Sequence, residues 1–123
     1  MRLSPSTRGL ILAFIVCLIG ASVALAHSEL RQAQPAPNSK HKNPPSEVKL
    51  YFTERLEPAY STVRVNDAQG SEVDRRDAHV DPADPLLLRA SLKPLASGAY
   101  TVNWQVLSLD PHVAEGHFSF QVE

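Results

Sequence analysis

From Tyr100 to Val106 the chain alternates without a break, with Tyr100, Val102, Trp104 and Val106 on one side and Thr101, Asn103 and Gln105 on the other. A period of two sends successive side chains to opposite faces of a strand, so this stretch predicts a strand with one buried face. The pattern recurs. Val48, Leu50 and Phe52 alternate with Lys49 and Tyr51, and Phe118, Phe120 and Val122 alternate with His117, Ser119 and Gln121. Thr62 to Val65 is β-branched, with Val63 and Val65 on one face, and Pro85 to Leu92 holds three consecutive leucines. Asp67 to Gly70 and Pro94 to Gly98 read as turns. No stretch beyond residue 26 shows a helical period, and the 10 prolines disfavour long helices. Several short strands at this spacing predict an all-β sandwich or barrel. Tyr100 and Trp104 belong to its core. Gln34 to Pro45 reads as a loop after a short first strand, and Asp74 to Asp84 as a charged loop.

The first 26 residues do not fit that pattern. Arg2 and Arg8 precede the apolar run Leu10 to Ile19, and small residues lead to Ala24-Leu25-Ala26. A positive start, an apolar run and an A-x-A site are the marks of a cleavable secretory signal. The expected division is therefore a signal peptide over 1–26 and one folded domain over 27–123. Cys17, the single cysteine, would leave with the signal. The exported domain then has no thiol and no disulfide, so its stability rests on its core and any metal must be held by nitrogen and oxygen. Two of the 12 basic residues lie in the signal, against 13 acidic residues in the rest, and a net negative domain does not suit nucleic acid.

Cleavage after Ala26 makes His27 the N-terminus. One residue then offers two nitrogen donors, its α-amine and its ring Nδ1, which can close a chelate ring on one ion. Asp110 and His112 form a second candidate pair. Residues two apart on extended backbone point to the same side, and Pro111 stiffens the stretch between them. Asp-Pro is also an ordinary turn starter, and spacing alone leaves both readings open. His41, beside Lys40 and Lys42, reads as solvated. His79 with Asp77 and Asp81 is a weak candidate for an exterior metal site. His117 points outward and suits a supporting role.

In its ordered set of motifs the chain resembles the CopC family of periplasmic copper-resistance proteins. The segments that carry the likeness are His27 to Leu30, Pro35 to Asn38, Pro45 to Glu54, Ser61 to Val65, Leu95 to Trp104, Val106 to His112 and Gly116 to Val122. The resemblance implies an immunoglobulin-like or cupredoxin-like Greek-key β-sandwich with a Cu(II) site near the N-terminus. It places His27 as amine and imidazole donor, Asp110 and His112 as the D-x-H pair, and Glu54 as a supporting or weak axial carboxylate. It also implies a CopD-like inner-membrane transporter as partner. Two departures stand out. Pro111 fills the middle of D-x-H, where the family carries a small residue. The Met-rich segment that lets some members hold Cu(I) is missing, since Met1 is the single methionine. Without soft thioether ligands this resembles a Cu(II)-only member, and the amine, imidazole and carboxylate set suits the tetragonal geometry that Cu(II) favours.

The expected function is thus periplasmic Cu(II) binding for sequestration, resistance or delivery, with no catalysis. Two alternatives belong to other classes. A copper-dependent oxidative enzyme can use a similar histidine brace, but a domain this small leaves little room for a broad substrate face. A metal-free β-sandwich interaction module would bind no Cu(II) at all.

Overall fold

The alternation decides the architecture. A computed structural model describes residues 28–123; the expected signal peptide, Cys17 and His27 lie outside the described residues. Eight strands form among these residues: β1 (Leu30–Gln34), β2 (Lys40–His41), β3 (Glu47–Phe52), β4 (Thr62–Asp67), β5 (His79–Asp81), β6 (Asp84–Ser91), β7 (Gly98–Leu107) and β8 (Val113–Val122). They make two four-stranded sheets, ordered β1-β3-β6-β5 and β2-β8-β7-β4. Every pairing is antiparallel except the short parallel contact of β2 with β8. The chain changes sheet at every step from β1 to β5 and again from β6 to β7, which makes the expected β-sandwich. A single 3-10 turn, Pro58–Tyr60, starts on a proline, whose fixed φ suits a first helical position. No helix of the described residues is long and apolar enough to cross a membrane.

The core is the set of inward positions read from the sequence. Val48, Leu50 and Phe52 from β3, Val63 and Val65 from β4, Val102 and Val106 from β7 and Phe120 from β8 are all buried. Each such side chain contributes about 1.5–3 kcal/mol when removed from water. Tyr100 stacks on Phe120 at 5.4 Å between centroids, and its hydroxyl donates to the Ala96 carbonyl at 2.6 Å. That bond lets a polar atom enter the core without an orphaned donor. Gly70 takes φ +83° in the turn after β4, and its N–H donates to the Asp67 carbonyl.

Two polar stretches differ from expectation. The Pro-rich loop contains β2, and the charged stretch contains β5, each of two or three residues. Neither has enough apolar residues to show a period; both are held by backbone bonds to longer neighbours. The charged stretch also buries Asp74, which is 1 % exposed. Its Oδ1 accepts from the Val65 N–H at 2.8 Å and its Oδ2 from the Arg76 N–H at 3.1 Å. With the Val73 N–H bonded to the Val65 carbonyl, residues 71–74 cover the outer edge of β4.

On the outer face of the first sheet, Arg89 reaches Glu47 and Asp81, each at 2.8 Å. The Arg89 guanidinium holds both carboxyls below the usual carboxylate range. Asp81 is therefore committed to Arg89, and the His79 ring contacts the Asp77 backbone carbonyl at 2.8 Å. The exterior grouping of His79, Asp77 and Asp81 does not form. His41 is also not simply solvated: it is half-buried, 2.7 Å from the Ser39 hydroxyl, with its ring edge-on to Phe120.

Candidate metal centre

Three distant stretches meet at one end of the sandwich. The first described residues are held against the end of β3: the Thr53 N–H donates to the Glu29 carbonyl at 2.9 Å, and the Glu29 N–H to Thr53 Oγ1 at 3.0 Å. On the other side of the same segment lies the loop that joins β7 to β8. The Leu109 N–H donates to the Arg55 carbonyl at 3.1 Å, the Glu57 N–H to the Leu107 carbonyl at 2.7 Å, and Leu56 bridges Ser108. Glu54 sits between Thr53 and Arg55, on backbone that touches the first described residues on one side and the loop on the other.

The loop itself is organised by Ser108, which is 1 % exposed. Its N–H donates to the His112 carbonyl at 3.1 Å, closing the loop, and its hydroxyl donates to the Asp110 carboxylate. The same Oγ stands 3.1 Å from the His112 carbonyl. The Ser108 hydroxyl bond holds the Asp110 carboxyl below its ordinary range; burial opposes it and the neighbouring imidazole adds to it. Asp110 Oδ2 lies 3.4 Å from His112 Nδ1. The carboxylate and the imidazole therefore stand side by side across Pro111, on the bend that the Ser108–His112 backbone bond closes. Both side chains keep over a third of their surface exposed, at 43 % and 34 %.

Among the described residues no three His, Cys, Asp or Glu side chains gather closely enough to hold an ion. Asp110 and His112 are a pair, and a complete tetragonal set needs further nitrogen from elsewhere. The structure also places Ser28 at this end, 2 % exposed, with a hydroxyl that makes no hydrogen bond among the described residues. Ser108 is the site residue that sequence reading passed over. Its signal is the serine two places before an Asp-Pro, where a short hydroxyl can reach the carboxylate of the turn. His117, on the outer face of β8, is exposed as expected.

The remaining residues at this end are apolar and exposed. Leu109 in the loop, Val113 at the start of β8 and Tyr60 in the 3-10 turn are 54 %, 61 % and 68 % exposed.

Comparison with known proteins agrees with this architecture. The CopC domain model matches residues 30–123. Protein YobA of Escherichia coli is 31 % identical over 102 residues, covering 80 % of each chain. Copper resistance protein C of Xanthomonas campestris is 30 % identical over 122 residues, covering 91 % of this chain and 95 % of that one. The crystal structure of CopC from Methylosinus trichosporium superposes with a TM-score of 0.74 at 36 % identity, over 79 % of this chain and 94 % of that one. With the domain model spanning the whole sandwich and a solved CopC sharing its fold, the chain belongs to the CopC family.

Proposed function

We propose that this protein binds Cu(II) in the periplasm as a carrier or buffer, without catalysing a reaction, and passes it to a CopD-like membrane protein. Membership of the CopC family and likeness to copper resistance protein C support a role in copper handling. The observation that carries the finer reading is the pairing of Asp110 with His112 on a loop bonded to the Glu54 segment. That segment also receives the first described residues.

His27 supplies the missing nitrogens. Once freed by cleavage after Ala26, its α-amine and imidazole bind one ion together, which removes most of the entropy cost of recruiting the second donor. Asp110 adds a carboxylate already deprotonated at neutral pH, and His112 adds a second imidazole. Glu54 supports the site or binds weakly along the axis. With no thiol or thioether beyond residue 26, the set is hard and nitrogen-rich, and Cu(II) heads the divalent affinity order for such ligands.

The test is Cu(II) EPR and competition titration on protein whose N-terminus is read by mass spectrometry. Protein beginning at His27 should bind one Cu(II) with nitrogen hyperfine structure. A Met-His27 form, whose His27 nitrogen is an amide, should bind at least about tenfold more weakly, a loss of 1.4 kcal/mol. Equal affinity of the two forms would overturn the reading.

A further inference from the structure

The second sheet has one covered edge and one open edge. On β4 the edge is closed by residues 71–74. On β8 the edge is only half closed. The Asn38 N–H donates to the Ser119 carbonyl at 2.7 Å, the Gln121 N–H to the Ser39 carbonyl at 2.9 Å, and the Glu123 N–H to the His41 carbonyl at 2.9 Å. Cover thus reaches residues 119–123. The odd-numbered residues of β8 are the ones that turn their backbone groups to this side. By the alternation of an antiparallel ladder, Val113, Glu115 and His117 turn theirs the same way. Among the described residues nothing bonds to them there.

This open stretch carries one charged residue, Glu115, and otherwise lacks the usual protections. Between Val113 and Phe118 there is no lysine, no proline and no bulge. An unpaired edge of that kind is a template for another strand. Its sequence, Val-Ala-Glu-Gly-His-Phe, is complementary to itself when turned end for end about Gly116. Glu115 then faces His117 of the second copy, twice over. Ala114 faces Phe118, a small residue against a large one, and Gly116 faces Gly116. Glu115 and His117 share the exposed outer face, and neither makes a hydrogen bond or ion pair within its own chain among the described residues. Shifting the register by one step on each strand, so that residues 113 and 117 pair, would set Glu115 against Glu115. Like charges directly opposite are unfavourable.

We infer that β8 pairs antiparallel with β8 of a second copy, centred on Gly116, to form a reversible symmetric dimer. The two Glu115–His117 couples are hydrogen-bonded pairs of the new ladder, so four backbone bonds form along with two side-chain contacts. The paired stretch stops where Asn38 caps Ser119. The two His112 residues then lie roughly 26 Å apart along the strands, at opposite ends of the joined sheet. Each copper-site loop stays open, so pairing and metal binding do not compete for the same atoms.

Sedimentation velocity over a concentration series, on protein recovered from the cell envelope, tests this. The expected result is a monomer–dimer equilibrium, with amide exchange at residues 115 and 117 slowing as dimer forms. His117→Glu should raise the dimer dissociation constant at least about tenfold. The exchanged pair Glu115→His with His117→Glu restores the complementarity and should return the constant to within about threefold of the parent. Both positions are exposed, and the near-UV signal of Trp104 reports whether each variant is folded. A protein that stays monomeric at every concentration overturns the inference. So does a dimer indifferent to His117→Glu, or protection of these amides only on adding a foreign extended peptide.

Discussion

The indole of Trp104 occupies the space that a side chain at Gly116 would need. These residues face each other across β7 and β8, and a Cβ on Gly116 would stand 2.4 Å from Trp104 Cζ2 and 2.8 Å from Cε2. The indole in turn meets Phe52 edge-on at 5.1 Å. Gly116→Ala should therefore displace Trp104 from Phe52 and cost about 1–3 kcal/mol, the usual range for overpacking. Urea denaturation measures the loss. Trp104 is the single tryptophan, so a shift in its emission in the folded protein reports the displacement directly.

Asp74 is the buried carboxylate that secures the cover over β4. Asp74→Ala leaves the buried Val65 N–H without its acceptor. An orphaned buried donor costs about 1–3 kcal/mol, so the midpoint of chemical denaturation should fall accordingly. Asp74→Asn keeps one carbonyl oxygen and should lose less.

Ser108 holds both members of the Asp110–His112 pair and is not itself a ligand of the proposed Cu(II) site. Ser108→Ala removes the hydroxyl that holds Asp110. Loss of an outer partner to a ligand lowers metal affinity about 10- to 100-fold in characterised sites. Competition titration with Cu(II) should show a drop of that order, with the number of ions bound unchanged. His112→Ala should instead remove one nitrogen from the EPR pattern.

Arg89 predicts a pH signature. Glu47 and Asp81 have folded-state pKa values below their unfolded ones because of the Arg89 guanidinium. The folded state therefore binds fewer protons than the unfolded state as pH falls. Their contribution is present in full above the unfolded values, about 4.3 for Glu47 and 3.9 for Asp81, and is lost as pH drops through the lowered ones. Arg89→Met should lower the thermal midpoint modestly at pH 7, since exposed ion pairs contribute little. The gap between variant and parent should close on acidification through the carboxylate range. A gap that stays constant down to that range would assign the loss to packing instead.

The long alternating strands were legible because a buried face imposes its period on the sequence. Val48, Leu50 and Phe52, or Phe118, Phe120 and Val122, announce their face whatever lies opposite. β2 and β5 were not legible, since two or three polar residues carry no period and owe their form to β8 and β6. Trp104 was correctly placed on the inner face, but it lies half-buried, a degree of cover that depends on Gly116 across the sheet. Spacing left open whether Asp110 and His112 converge or only shape a turn, and they stand together on a bend. That their loop packs beside Glu54 was not legible, because it depends on backbone bonds such as that from Leu109 to Arg55, far apart in the chain. Asp81 misled for the same reason: its partner Arg89 belongs to the neighbouring strand, across a turn.

The segment from Thr53 to Glu57 is gripped from two sides, by the first residues after His27 and by the last hairpin of the chain. The beginning, the middle and the end of the polypeptide must all be in place before that corner exists. In an unfolded chain Glu54, Asp110 and His112 are scattered along its length, and only the two donors proposed for His27 stay together. On the proposed reading, a complete set of donors is thereby reserved for molecules that have finished folding, and losing the final hairpin would take Asp110 and His112 away from it.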